Sequence, residues 1–178
     1  SANRSGRPSP TAWHAVQQDL DGRIDVVLKG GPSRVGLEST VVDCTGRAPV
    51  VLRAGAVTLE QLRSIEPRTR LAGGRDEAKG RSPGLKHRHY APRARVRLVA
   101  RGEGIEAGAA WIGVGRAPPG ASVAKSCRNV AAYARSVFGF FRACEAKGMA
   151  VIYCAAVPER GIGVALMDRL RRAASATG

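Results

Sequence analysis

Apolar residues recur along the chain with two periods, short strand-like runs alternating with stretches of helical spacing, and this alternation predicts a mixed α/β protein. Ser9 is placed to cap a helix with Pro10 at its first position; Trp13, Val16, Gln17 and Leu20 carry it on to a stop near Asp21-Gly22. Residues 24–28 read as a strand, Gly30-Gly31-Pro32 as a turn, 39–44 as a second strand and 49–53 as a third, with Thr45-Gly46 turning the chain between them. Thr58, with Gln61 three positions later, forms a capping box; Leu59, Leu62 and Ile65 then supply an apolar face that Pro67 ends.

The pattern breaks between residues 72 and 92, which hold Gly73, Gly74, Gly80, Pro83, Gly84 and Pro92 and almost no large apolar side chain before Leu85. The break predicts a domain over 1–71, a linker over 72–93 and a second domain over 94–178. In that second domain, residues 96–99, 109–114 and 150–154 read as strands and 130–147 as an amphipathic helix. A last helix follows Gly163, with Ile162, Leu166 and Leu170 on one face and Arg169, Arg171 and Arg172 opposing its dipole near the C-terminal end. Three strands and two helices suggest a small Rossmann-like accessory domain, although no glycine fingerprint follows its first strand.

Charge adds a partner class. The 178 residues carry 29 Lys and Arg against 14 Asp and Glu, a formal net charge of +15, which suits a phosphate-bearing ligand or RNA and equally an arginine-rich genome. The 44% hydrophobic content is ordinary for a globular protein, and no run approaches the roughly 20 apolar residues of a membrane helix, so the cytoplasm is the expected compartment. Cys44, Cys127, Cys144 and Cys154 lack Cys-x-x-Cys spacing, and His14, His87 and His89 complete no zinc pattern, so no protein metal cage is expected. Cys44 and Cys154 lie in apolar strand-like runs, as buried thiols do.

Several residues are open to two readings. The stretch from Arg81 to Pro92 (RSPGLKHRHYAP) joins turn residues, a tyrosine and several cations without one carboxylate, so it is a solvated linker or a segment that meets an anion. Its His87 and His89 face opposite ways on an extended chain and fit solvation better than base catalysis. Ser1 and Asn3 suit a turn, and Ser39 suits the start of a strand. Arg53 ends an apolar strand beside Ala54-Gly55, where its guanidinium serves either a surface ion pair or two parallel bonds to a phosphate. Asp168 and Arg169 fit a structural ion pair or a docking role. No Ser-His-Asp or Cys-His constellation stands out.

Residues 81–92 resemble the interdomain linker of the threonylcarbamoyl-adenylate synthases, the YrdC-like enzymes with a second, C-terminal domain. SANRSGRPSPT at 1–11, GLESTVVD at 36–43, VLRAGA at 51–56 and GIGVALMDRL at 161–170 resemble the same family in the same order. Ala54 stands where the family usually has Pro. The resemblance implies the C-terminal portion of a YrdC-like twisted α/β sheet domain followed by the linker and the Rossmann-like domain. Because the chain opens on Ser1 within a motif from the middle of the family's catalytic domain, it looks like a fragment, and is expected to be inactive alone.

By resemblance, Ser1 and Ser39 belong to the threonine site, and Asn3, Thr11, Arg53 and Tyr90 contact ATP. Lys86 and Arg88 are secondary phosphate candidates. The implied reaction joins L-threonine, bicarbonate and ATP into threonylcarbamoyl-AMP and pyrophosphate, with Mg2+ accompanying the nucleotide and no protein nucleophile. Its product would feed a transferase that modifies tRNA. Two alternatives remain: a non-catalytic YrdC-like module that binds double-stranded RNA, and the carbamoyl-transferring domain of hydrogenase maturation proteins.

Overall fold

The computed structural model describes residues 2–73, 91–100 and 102–176, and within them two sheets form. In the first, β1 (Val41–Asp43) runs antiparallel to β2 (Val50–Arg53), and β2 pairs in parallel with β3 (Arg70–Leu71). The helix α2 (Leu59–Arg63) connects β2 to β3, and its capping box is present as expected: Thr58 N donates to Gln61 Oε1 at 2.9 Å and Gln61 N to Thr58 Oγ at 3.4 Å. Its expected apolar face is not buried, since no residue of α2 lies in the interior and Ile65 is exposed.

The second sheet is parallel throughout, in the order β4 (Arg95–Val99), β7 (Val151–Ala155), β5 (Ala110–Val114), β6 (Val123–Cys127). The helices α3 (Val130–Ala146) and α4 (Ile162–Ser175) pack against it and against each other. Side chains alternate across the strands. Val96, Ala110, Ile112, Ile152 and Cys154 meet Tyr133, Phe138, Phe141, Leu166 and Leu170 of the helices, while Val99, Trp111, Tyr153 and Ala155 form a second cluster on the other face. Asn129 caps α3 by accepting from Ala132 N at 2.8 Å.

The sequence reading needs correction in further places. The first helix, α1, spans only Trp13–Leu20; its N-cap is Ala12, because the Ser9 hydroxyl donates to Glu38 Oε1 at 2.5 Å instead of capping. Residues 24–28 form no strand, and Ile24, Val26 and Leu28 are 42%, 71% and 87% exposed, with no neighbouring strand to bond. The strand β6 had no apolar alternation to announce it, since Ala124, Lys125 and Ser126 all face water. Cys44 is exposed, just past the end of β1, unlike the buried Cys154. Arg169 is buried in mid-helix and Arg171 pairs with Glu159, so the basic residue of the last turn of α4 is Arg172, itself bonded to Asp168.

The N-terminal segment is fastened to α3 by ion pairs. Arg142 grips both oxygens of Asp19, at 3.0 and 2.6 Å, and also donates to Pro8 O; Arg7 holds Glu145 through two bonds of 2.9 and 2.8 Å. Gly36, at φ +82°, lies so close to α3 that a Cβ there would sit 2.4 Å from the Arg135 Cα.

Candidate functional site

Two of the expected ligand-binding residues meet where the first sheet begins and ends. Ser39 lies two residues ahead of β1, outside the strand expected to start there, with its side chain exposed, and Arg53 ends the neighbouring antiparallel strand β2. The Arg53 Nε donates to the Ser39 carbonyl at 3.2 Å and its Nη2 to the Ser39 hydroxyl at 3.3 Å, so the guanidinium is held in place with donors still available to a ligand.

The turn after Arg53 is pressed against the same stretch of backbone. A Cβ on Gly55 would lie 2.4 Å from the Glu38 carbonyl oxygen, the Ser39 carbonyl carbon and the Thr40 nitrogen, so glycine is required by contact and not by φ. The Thr40 hydroxyl ties the far end of that turn, donating to Val57 O at 2.6 Å and accepting from Val57 N at 3.1 Å. Beside it opens a cavity of about 200 Å³ lined by Arg53, Ala54, Leu71, Asp168, Arg171 and Arg172, which brings the final helix to the edge of the site.

Behind Ser39 lies a buried ionic cluster. Arg169, with 1% of its side chain exposed, donates from Nε to Glu38 Oε2 at 2.9 Å and from Nη1 to Asp168 Oδ2 at 2.8 Å. The other Glu38 oxygen accepts from Ser9, and Asp168 accepts from Arg172 Nε at 3.0 and 3.1 Å. Sequence reasoning offered Arg169 and Asp168 a structural ion pair or a docking role but missed Glu38 and Ser9. The available signal was periodicity: Arg169 falls on the stripe of Ala165, Leu166, Leu170 and Ala173, and a guanidinium there needs a buried acid.

The remaining expected residues lie elsewhere. Asn3 spends its amide on its own loop, donating to Arg4 O at 2.9 Å and Arg7 O at 3.2 Å. Thr11 sits against α3, with its hydroxyl 3.8 Å from where a Cβ on Gly139 would be. No hydrogen bond joins either one to Ser39 or Arg53 among the described residues. Ser1, Lys86, His87, Arg88, His89 and Tyr90 lie outside the described residues.

Comparison with known proteins identifies the family. A family model described as the threonylcarbamoyl-AMP synthase C-terminal domain matches residues 57–175, and one described as telomere recombination matches residues 1–55. The chain is 34% identical over 193 aligned residues to the threonylcarbamoyl-AMP synthase of Pyrococcus abyssi, covering 97% of this chain and 56% of that protein. It is 33% identical over 192 residues to the Bacillus subtilis protein of the same name, covering 98% and 56%. It thus spans about half the length of these curated relatives.

A crystal structure of P. abyssi Sua5 complexed with L-threonine matches with a TM-score of 0.82 at 32% identity, over 99% of this chain and 57% of that one. A variant of the same protein with alanines replacing a consecutive histidine and tyrosine matches with a TM-score of 0.82 at 31% identity, over 99% and 56%. With a family model covering well over half of its residues and full-span relatives above the level of chance likeness, the chain belongs to the threonylcarbamoyl-AMP synthase family.

Proposed function

We propose that this chain is the C-terminal portion of a synthase that makes threonylcarbamoyl-AMP and pyrophosphate from L-threonine, bicarbonate and ATP. The observation that carries the reading is the Arg53 guanidinium held on the Ser39 carbonyl and hydroxyl at the edge of a cavity. The names of the relatives and the bound threonine of the P. abyssi structure support it, and they favour catalysis over a module that only binds RNA.

In this reaction the threonine amine takes up bicarbonate to form a carbamate, with loss of water. A carbamate oxygen then bonds to the α-phosphorus as the bridging oxygen leaves with pyrophosphate. Ser39 offers its hydroxyl to threonine, and Arg53 offsets charge on the phosphates. Asn3, Thr11 and Tyr90 are assigned to the nucleotide, Ser1 to threonine, and Lys86 and Arg88 to secondary phosphate contacts. The pair replaced in the P. abyssi variant has one sequence counterpart here, His89-Tyr90. Magnesium would supply charge neutralisation, held by phosphate oxygens and water.

The division into 1–71, a linker over 72–93 and a Rossmann-like accessory domain over 94–178 belongs to the same reading. The parallel sheet and the helical crossover from β6 through α3 to β7 support it. A cytoplasmic home and a downstream tRNA-modifying transferase follow from the product; among the described residues no helix is long and apolar enough to cross a membrane.

The full-length protein, given ATP, bicarbonate and threonine, should release pyrophosphate in a threonine-dependent way and yield threonylcarbamoyl-AMP by mass spectrometry. Arg53→Ala should lower kcat/KM on the order of a hundredfold. Salt-sensitive RNA binding with no threonine-dependent turnover would overturn the reading.

A further inference from the structure

The structure assigns to Arg169, on the last helix, the role of a positioning residue for the Ser39–Arg53 pair. The argument starts from the peptide 38–40, because Ser39 presents both its carbonyl and its hydroxyl to Arg53. One side of that peptide lies on Gly55, with no room for a Cβ between them. The Glu38 side chain anchors the start of that peptide, because both carboxylate oxygens are committed: Oε1 to the Ser9 hydroxyl at 2.5 Å and Oε2 to Arg169 Nε at 2.9 Å.

Arg169 is 1% exposed and Glu38 12% exposed, so this pair works in a nearly dry setting. Replacing a buried ion pair by well-packed apolar residues of the same volume is often neutral or stabilising, so stability alone does not account for an ionic pair here. What the ionic pair adds is direction: a planar guanidinium bonded to Glu38 and Asp168 fixes where the Glu38 carboxylate points, and through it where Ser39 stands. Asp168 in turn accepts from Arg172, and Asp168 and Arg172 line the Arg53 cavity, so one helix both walls the cavity and clamps the peptide opposite. Arg169 acts on Ser39 through Glu38.

The kinetic consequence rests on the synthase reading above, whereas the structural consequence does not. In the full-length protein, Arg169→Met combined with Glu38→Gln removes both buried charges and is expected to keep cooperative unfolding while raising the threonine KM on the order of tenfold, with a smaller fall in kcat. Amide exchange over residues 36–42 and 53–57 should quicken, with α3 unchanged. Arg169→Lys keeps one charge without the fork and should fall between the parent and the double variant in both readouts.

If the parent shows no threonine-dependent turnover, the synthase reading fails and amide exchange alone decides the positioning role. If the double variant does not fold, the same two readouts are taken on Arg169→Lys. A folded variant with the parent's threonine KM and the parent's exchange over 36–42 overturns the inference.

Discussion

Adding one methyl group at Gly55 should damage this protein, whereas adding it at Gly30 should not. At Gly55 the new carbon would lie 2.4 Å from three backbone atoms of residues 38–40, and neither strand end can yield like a flexible side chain. Overpacking of this kind destabilises by about 1–3 kcal/mol. At Gly30 no atom lies within 4 Å and the backbone is not left-handed, so alanine restricts the unfolded chain and stabilises by about 0.4–1 kcal/mol. Two chemically identical changes should thus differ by about 1.4–4 kcal/mol.

Urea unfolding followed by tryptophan fluorescence compares the two variants with the parent, since Trp13 and Trp111 report on α1 and β5. Threonine-dependent pyrophosphate release should fall in Gly55→Ala, because the turn must lift off Ser39, and stay at the parent's level in Gly30→Ala. A Gly55→Ala protein within about 0.5 kcal/mol of the parent and fully active would show that the backbone contact does not set the site.

Two further outcomes follow from burial. Arg142→Met should destabilise by about 3–5 kcal/mol, because Asp19 keeps only 5% of its side chain exposed, and Asp19→Asn in the same chain should recover most of that loss. The Arg142 hydrogen bonds hold the Asp19 carboxyl below its usual range against the opposing effect of burial. Its stabilising contribution is therefore complete above the unfolded carboxylate value of about 4 and is lost as pH falls towards the lower folded value, so Asp19→Asn should flatten the acid limb of a pH–stability curve. Burial pushes Cys144 up to about 11 and Cys154 up to about 12, while Cys44 is exposed. Iodoacetamide at pH 8 should label Cys44 first by peptide mass spectrometry, and equal labelling of Cys154 would contradict the buried core.

Legibility in the sequence followed burial. Val130–Ala146 and Val151–Ala155 were readable because a packed core imposes its period on them. The edge strand β6 and the two-residue β3 bury too little to leave a pattern. Residues 24–28 carry a strand's composition, yet composition gives no partner to bond with. Ser39 and Arg53 were visible through their motifs. Their mutual contact was not, because antiparallel pairing of β1 with β2 decides it, and nor was the Glu38–Arg169 bond, which joins distant parts of the chain.

The placement of β4 has a consequence for synthesis. It is the first strand of its sheet to leave the ribosome, yet its strand partner among the described residues is β7, the last to be made. Until Val151–Ala155 emerges, Arg95–Val99 has no ladder to join, and the edge it leaves open is a hazard for misassembly. Nascent chains halted before residue 151 should therefore recruit chaperones, and release of the last strand should end that dependence at a single step of elongation.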